Sequence, residues 1–387
     1  MKKVISTERI PIKLWLSDIE EGALEQAKNL ANLPFAFKHI VICPDAHQGY
    51  GMPIGGVMAT KDVVVPNAVG SDIGCGVCAV KTNLKTPDRN IIEQIINDIK
   101  SKIPVGKKWQ QKEQNENWMP DQLDYSTFLD QLYKPSLKQI GTLGGGNHFI
   151  EIQKDSDNFI WIMIHSGSRN LGFQVAKHYK NIAIELNKKW FSQVPKKWDL
   201  AYLPIDSKEG KNYLKEMKYC VNFALANRSL MMHNVYRSIL KFYPGTNFDK
   251  MINIPHNYAS IEHHFNSNVM IHRKGATSAY LNELGIIPGS QGTNSYIVSG
   301  LGNRDSFMSC SHGAGRKMGR NQAIKKLDFK TEVGKLDKLG IIHSIKNQKN
   351  IDEAPGAYKD ISVVMANQED LVKIEVELKP LGVVKGK

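Results

Sequence analysis

Hydrophobic and polar residues follow two different periods along the chain, and segments of the two kinds interleave. Apolar residues spaced three and four apart predict amphipathic helices over 88–103 and 171–190. Pro87, which follows a threonine, suits the first turn of the earlier helix. Residues 208–242 carry the same period over a longer stretch and predict either one long helix or a helical hairpin.

Short runs rich in apolar residues predict strands at 62–66, 159–164 and 372–378. In the last run apolar and charged residues alternate, which predicts one face turned to the core and one turned to solvent. The positions expected to face inward are Val372, Ile374, Val376 and Leu378.

The interleaving of helical and strand segments predicts an α+β or mixed α/β fold. We find no tandem repeat, low-complexity tract or clear linker, so we expect one domain over residues 1–387. The polar stretch at about 107–131 lacks either period and is expected to be an irregular excursion on the surface.

The formal net charge of +13 favours a polyanionic partner. A lysine-rich genome explains the same charge equally well from composition alone. The tripeptide Lys-Lys-Trp occurs three times, at 107–109, 188–190 and 196–198. Cations beside an aromatic ring suit phosphate neutralisation and base stacking. The alternative is a solvated lysine face whose tryptophan reaches into the core.

Cysteine content and hydropathy bear on the compartment. Five cysteines in 387 residues do not make a disulfide framework, and Cys43, Cys220 and Cys310 are expected to pack in the core. No run of about eighteen apolar residues predicts a membrane span, and the N-terminus lacks the apolar segment of a secretory signal. We therefore expect a cytoplasmic protein, whose cysteines are free to bind metal.

Glycine-rich blocks with His, Asp or Cys provide candidate metal ligands. Asp72 and Cys75 lie three residues apart in one such turn, and three histidines occupy similar settings: His148, His165 and His256. A mixed set of this kind suits Zn, Mn, Fe or Co, and five ligands with a bridging thiolate indicate two ions. Each residue alone is explained as well by core packing or turn chemistry, but the joint pattern favours a metal site.

A second constellation suits nucleotide chemistry. His312 lies in a small-residue loop that ends at Arg316, so a neutral ring nitrogen can attack phosphorus while the guanidinium neutralises charge. Asp45 is a candidate to hold the tautomer of the ring. The block 288–293 offers N–H groups and hydroxyls for a triphosphate and is not a Walker A loop. A turn or helix-capping role is the alternative for His312.

In combination these blocks resemble the RtcB family of RNA-splicing and RNA-repair ligases. The resemblance runs nearly end to end, from the block that begins at Pro44 to Gly386. It implies a compact domain with central mixed sheets and surrounding helices. The motifs that carry it are Asp-Ile-Gly-Cys-Gly, Gly-Gly-Gly-Asn-His-Phe, His-Ser-Gly-Ser-Arg, His-Asn-Tyr-Ala, Arg-Lys-Gly-Ala-Thr, Pro-Gly-Ser and Ser-His-Gly-Ala-Gly-Arg.

The resemblance implies a two-manganese centre. Asp72, Cys75 and His148 would ligate one ion. Cys75 would bridge to a second ion, which His165 and His256 would also hold.

The resemblance also implies a guanine nucleotide site. His312 would take GMP from GTP, Asp45 would orient it, and Arg316 would lie close by. Tyr358 would stack on guanine and Lys385 would bind it. The full set of implied nucleotide-binding positions is Asn147, His148, Glu151, His256, Asn257, Pro288, Gly289, Ser290, Ser295, His312, Gly313, Ala314, Gly315, Tyr358 and Lys385.

The implied activity is GTP- and Mn-dependent joining of an RNA 3′-phosphate or 2′,3′-cyclic phosphate end to a 5′-hydroxyl end. It would proceed through covalent His-GMP and a capped RNA(3′)pp(5′)G end, in tRNA splicing or RNA repair. The implied partners are GTP and cleaved RNA such as tRNA halves. We expect a monomer, and whether an activating protein takes part is left open.

Two rival functions use the same residues. A metal-dependent RNA phosphohydrolase or nuclease would need no GTP, and His312 would act as a general acid. A non-enzymatic RNA-binding protein explains the charge but not the ligand pattern. The chain departs from the family at 107–109, where Lys-Lys-Trp replaces the usual further glycines, and at Gln291, where methionine is common. These departures bear on substrate preference more than on chemistry.

Overall fold

Helices and strands interleave along the chain, as the two periods predict, and the mixed class is confirmed. The computed structural model describes residues 1–121 and 127–386. The strands in this part are β1 (Lys3–Ile5), β2 (Ile12–Leu14), β3 (Ala36–Tyr50), β4 (Met52–Thr60), β5 (Val63–Val64), β6 (Gly76–Lys85), β7 (Phe149–Lys154), β8 (Phe159–Ser166), β9 (Leu203–Pro204), β10 (Ile252–Pro255), β11 (Asn257–His264), β12 (Ser267–Lys274), β13 (Ala276–Ser278), β14 (Leu284–Ile287), β15 (Ser295–Gly300), β16 (Ser309–Ser311) and β17 (Val372–Lys385). The α-helices are α1 (Glu21–Ala31), α2 (Pro66–Val69), α3 (Arg89–Lys102), α4 (Thr127–Ser136), α5 (Arg169–Lys189), α6 (Lys208–Leu240), α7 (Arg320–Lys326), α8 (Phe329–Lys338) and α9 (Ile361–Ala366).

Two large sheets organise the described residues. The first has the order β1-β2-β3-β4-β12-β11 and is mixed, because β2 and β3 are parallel. The second has the order β10-β6-β8-β7-β17-β15-β14, and its pairs are antiparallel. Since β10 belongs to the second sheet and β11 to the first, the chain passes between the sheets at His256.

The predicted helices form where the period of apolar residues places them. Helix α3 buries four isoleucines against the seven-stranded sheet, and α6 is one continuous helix rather than a hairpin. The placement of Pro87 in a first turn was wrong. Asp88 is the N-cap, with extended φ and ψ of −59° and 148°, so the helix begins only at Arg89.

One predicted strand has two buried faces instead of one. Val372 packs in one core cluster and Leu378 in another, whereas Ile374 is 47% exposed, so its inward placement was wrong. A bulge explains why Val372 and Leu378 pack in different clusters. Val298 pairs with Ile374, but the preceding residue of β15, Ile297, pairs with Val376, so Glu375 is the extra residue. One extra residue reverses which face the following side chains occupy.

The run 62–66 is a strand for only two residues, because Pro66 begins α2. The excursion at 107–131 is less irregular than predicted. It contains a 3-10 helix at Glu116–Trp118 and the start of α4, and residues 122–126 lie outside the described part. Trp118 also packs against the cluster of buried residues on α5 and α6, so the excursion is not confined to the surface.

Two further predictions from the sequence concern the state of the cysteines and the lack of a membrane-spanning helix. All five cysteines are free and buried, and Cys43, Cys220 and Cys310 pack in core clusters as predicted. None of the helices at 1–121 and 127–386 combines the length and apolarity needed to cross a bilayer.

Candidate active site

A thiol and two imidazoles meet at the end of the seven-stranded sheet. The Sγ of Cys75 lies 3.2 Å from Nε2 of His165 and 3.4 Å from Nε2 of His148. The three side chains are buried, and their ligand atoms lie within 4.8 Å of one another. This spacing lets one ion contact all three groups.

Strand register brings these residues together. His165 of β8 lies directly opposite Phe149 of β7 and Val77 of β6. His148 immediately precedes Phe149, and Cys75 precedes Val77 by two residues, so both enter the sheet beside His165. Their long separation along the chain therefore disappears in the antiparallel sheet.

The row of ligand atoms continues at both ends. Nε2 of His256 lies 3.3 Å from Nε2 of His165, and the His256 backbone N donates to the Cys75 carbonyl at 2.8 Å. At the other end Oδ2 of Asp72 lies 3.1 Å from Nε2 of His148. All five sequence-predicted ligands thus form one continuous row.

The protonation of the imidazoles fits a metal centre. Burial lowers the pKa of His165 and of His256 well below the ordinary value, so both rings are neutral and present lone pairs. His148 donates from Nδ1 to the Leu143 carbonyl at 2.9 Å, which leaves Nε2 as the ligand atom. Burial raises the pKa of the Cys75 thiol, and a coordinated cation reverses that effect. Sulfur, nitrogen and carboxylate donors together fit a borderline-soft divalent ion.

His312 stands beside this row with its tautomer set. It follows β16, and its Nδ1 donates to Oδ2 of Asp45 at 2.6 Å, while its backbone N donates to the same oxygen at 3.1 Å. The Nε2 atom therefore carries the lone pair. The ring is 13% exposed, and its centroid lies 4.7 Å from that of His256. A nucleophilic nitrogen and a candidate metal ligand are thus neighbours.

The Asp45 carboxylate is ionised although it is fully buried. Burial by itself would raise the pKa of this group, but the hydrogen bond from the adjacent His312 ring and the nearby Lys359 ammonium lower it below its ordinary value. The loop that carries His312 closes over this carboxylate at Gly315. A Cβ at that glycine, whose φ is +71°, would lie 2.1 Å from the Asp45 carbonyl oxygen. Glycine at position 315 is therefore a packing requirement.

Comparisons with known proteins agree with this constellation. A sequence profile described as tRNA-splicing ligase RtcB matches residues 26–131 and 114–386. The chain is 38% identical to RNA-splicing ligase RtcB of Escherichia coli (strain K12), with 99% of each chain covered. It is 33% identical to tRNA-splicing ligase RtcB of Nanoarchaeum equitans, over 97% of this chain and 95% of the relative. RNA-splicing ligase RtcB homolog 1 of Entamoeba dispar is 32% identical, over 96% and 83%.

The chain belongs to the RtcB family.

A cavity of about 490 Å³ in this RtcB family member is lined in part by Asn147, the residue that precedes His148. Two of the sequence-predicted nucleotide residues line it, Asn147 and Lys385. Nζ of Lys385 lies 2.8 Å from Oε2 of Glu353. Gln291, one of the departures from the family pattern, is also in the wall.

Glu151 lies beneath this region on β7. Burial raises the pKa of its carboxyl to about 8, against the lowering effects of Gln153 and Lys385. Gln153 also donates to Oγ of Ser295 at 3.0 Å, and that hydroxyl accepts from the Gly289 backbone N at 3.1 Å. Gln153 also donates to Glu151. A buried chain of hydrogen bonds through Gln153 and Ser295 thus connects Glu151, a predicted nucleotide-binding residue, to the 288–293 loop.

The 288–293 loop packs on the His312 loop. The Ala314 backbone N donates to the Pro288 carbonyl at 3.0 Å, so the residues 288–290 and 313–315 meet. The Ser290 backbone N is bonded within its own loop, to Oγ1 of Thr293 at 2.7 Å. Asn257 contacts the row of candidate ligands, because its side chain donates to the Asp72 carbonyl and accepts from the Gly275 backbone N.

Arg316 is turned toward the segment that contains Tyr358. Its guanidinium donates to Oε1 of Glu353 at 3.0 Å, to the Asp352 carbonyl at 2.6 Å and to the Met318 carbonyl at 3.1 Å. It also lies over the Tyr358 ring, at 5.1 Å from the centroid. Arg316 therefore orders one wall of the cavity.

Sequence reasoning missed two residues of the site. Glu353 is buried and contacts Arg316, Arg320 and Lys385; burial opposes its charge, but these cations lower its pKa to about 2. Only its position next to an Ala-Pro-Gly block marked it in the sequence. Arg169 lies 3.5 Å from Nδ1 of His148, and it ends the His-Ser-Gly-Ser-Arg motif, which was a usable signal.

Proposed function

We propose that this protein is an RNA ligase that uses GTP and two manganese ions to join an RNA 3′-phosphate end to a 5′-hydroxyl end. Family membership and relatives named as RNA-splicing or tRNA-splicing ligases support the class of reaction. One observation carries the assignment: His312 has Nδ1 tied to buried Asp45 and its ring beside His256.

In the first step Nε2 of His312 attacks the α-phosphorus of GTP. A P–N bond forms, the P–O bond to the β-phosphate breaks, and pyrophosphate leaves. Asp45 holds the ring and stabilises the positive charge that develops on it.

In the second step a phosphate oxygen of the RNA 3′ end attacks the guanylate phosphorus, and the P–N bond breaks. His312 returns to its neutral form, and the RNA end becomes RNA(3′)pp(5′)G. In the third step the 5′-hydroxyl attacks the RNA phosphate and GMP leaves. Capping must come first because a phosphomonoester lacks a good leaving group. A 2′,3′-cyclic end must be hydrolysed to the 3′-phosphate before capping.

The ligand row would hold the metal. Asp72, Cys75 and His148 would bind one ion, and Cys75 would share the second with His165 and His256. Bound divalent ions would stabilise the charge that develops on the transferred phosphates. The protein's own part is to keep the imidazoles neutral and oriented through contacts such as that between His148 and Leu143.

The cavity at Asn147 and Lys385 is the proposed guanine site, with Tyr358 and Glu151 in its surroundings. We further propose that the protein acts in the cytoplasm on cleaved RNA such as tRNA halves, as a monomer. The five free cysteines and the net charge of +13 support that setting and that partner.

Labelled GTP tests the proposal directly. Purified protein is incubated with Mn²⁺ and GTP labelled in the α-phosphate, and the protein-bound label is challenged with acid. An acid-labile adduct, chased into ligated RNA by substrate with the two required ends, is the expected result. Metal-dependent cleavage or dephosphorylation of RNA that is indifferent to GTP would establish the phosphohydrolase instead.

A further inference from the structure

Hydrogen bonds hold the segment 106–110 at both ends, and the Gly106 end lies against the candidate active site. The Gly106 backbone N donates to the Gly144 carbonyl at 2.7 Å. At the other end the Gln110 backbone N donates to the Lys138 carbonyl at 2.8 Å, and its side chain donates to the Gly141 carbonyl at 3.0 Å. A segment held in this way keeps a defined position relative to the site.

Gly106 links the segment to both the metal row and the cavity. Its carbonyl accepts from Nη2 of Arg169 at 3.3 Å, and Nη1 of Arg169 lies 3.5 Å from Nδ1 of His148. On the cavity side, a Cβ on Gly386, which lines the cavity, would lie 2.3 Å from the Gly106 backbone N. We place the three residues that follow Gly106 at the rim of the site, because Gly106 itself contacts both parts of it.

Those three residues are Lys107, Lys108 and Trp109, and their side chains are exposed. Trp109 exposes 42% of its surface. Two cations and a solvent-facing indole at the rim can neutralise phosphates and stack on a base.

The other two copies of Lys-Lys-Trp lie in different structural settings, so the tripeptide by itself does not predict an RNA contact. Trp198 packs into the core cluster around α1 and β3, which is the alternative considered for all three. Trp190 exposes 42%, as Trp109 does, but it follows the C-terminal end of α5. Helix α5 begins at Arg169 and has 21 residues, so Trp190 lies about 30 Å from that end.

We propose that Lys107, Lys108 and Trp109 bind the RNA strand where it enters the active site. Trp109 stacks on a base near the end to be joined, and the two lysines contact the adjoining phosphates. This inference rests on the proposed RNA ligase function and adds a specific contact for its substrate. Stacking on any base makes the contact tolerant of sequence.

The test compares Trp109→Ala with Trp190→Ala, since the two rings are equally exposed and follow the same two lysines. The substrate is a short single-stranded RNA with a 3′-phosphate. Equilibrium binding of the RNA and the KM for the RNA are measured, together with formation of the GMP adduct. We expect Trp109→Ala to weaken RNA binding and raise KM by about 5- to 150-fold, the range for loss of one stacked base. Trp109→Phe, which keeps a ring, should recover most of the loss.

The matched control should differ clearly. Trp190→Ala should stay within about twofold of the unmodified protein on the short RNA, because that strand cannot reach along α5. Equal RNA affinities for the Trp109 and Trp190 variants would overturn the proposal. Loss of adduct formation in Trp109→Ala, with RNA binding intact, would also overturn it by placing the ring on the guanine nucleotide.

The lysines give an independent readout in salt. The double variant Lys107→Gln/Lys108→Gln should reduce the slope of log affinity against log salt by about 1.4, or 0.7 for each lost phosphate contact. Lys188→Gln/Lys189→Gln is the control and should leave the slope unchanged.

Failure of the ligase proposal is separable from failure of this one. If the unmodified protein forms no adduct and joins no ends, the ligase function is wrong. The binding and salt measurements still decide whether RNA contacts residues 107–109.

Discussion

His312 and Asp45 are joined twice, by the ring Nδ1 at 2.6 Å and by the backbone N at 3.1 Å, and both bonds end on the same carboxylate oxygen. Because both bonds end on one oxygen, Asp45 fixes the position of the His312 backbone and the orientation of the His312 ring at the same time. The consequence is chemical: with Nδ1 committed as the donor, Nε2 is the free lone pair beside His256.

His312→Ala should abolish the GMP adduct and leave the manganese content near that of the unmodified protein, because the ring is not in the ligand row. Adduct is measured with labelled GTP and metal by elemental analysis. His263→Ala is the control, since His263 is exposed on the β11–β12 hairpin and bonds Asn268. An adduct that persists without His312 would remove it from the nucleophile role.

Asp45→Asn should slow adduct formation by about 10²- to 10⁴-fold, because an amide can turn its N–H₂ toward Nδ1 and favour the wrong tautomer. The pKa of Asp45 lies below its ordinary value, so the carboxylate is ionised across pH 5–8 and the loss should be the same throughout that range. Single-turnover rates at several pH values check this. A defect that grows steadily toward high pH would contradict the tautomer argument.

Cys75→Ala should lose manganese and adduct together, because the thiolate is expected to bridge both ions. Cys78→Ala is the control, as Cys78 is also buried and free but packs in the core beneath α3 and α6. Full manganese occupancy in the Cys75 variant would rule out the bridging assignment.

Glu151→Gln should make the folded protein relatively more stable as the pH rises. The folded pKa of Glu151 is about 8 and its ordinary value is 4.5, so between these pH values the folded state holds a proton that the unfolded chain has released. Stability of the unmodified protein is therefore lost across that window, by on the order of 1 kcal/mol per pH unit. Denaturant unfolding of both proteins at pH 5 and pH 8 measures the difference. A difference in unfolding free energy that does not change with pH would show that Glu151 titrates normally.

Local patterns in the sequence predicted helices α3, α5 and α6 and the chemistry of the glycine-rich loops. Two examples are the isoleucine spacing of α3 and the Asp-x-x-Cys turn at Asp72 and Cys75. Both are properties of residues close together in the sequence, so they can be recognised without knowledge of the fold. The nucleotide and metal roles of most named residues came from the resemblance. The geometry brings the five ligands, His312 and Asp45 together, whereas their ligand and catalytic roles remain predictions.

The tertiary structure decided the features that depend on contacts between residues far apart in the sequence. Strand register brought Cys75 and His148 to His165, and a bulge at Glu375 reversed the faces of β17, because pairing between strands is set by long-range packing. For the same reason the role of Glu353 could not be predicted from the sequence. Three cations from two other segments of the chain contact its buried carboxylate, and the residues next to Glu353 in the sequence do not indicate those contacts.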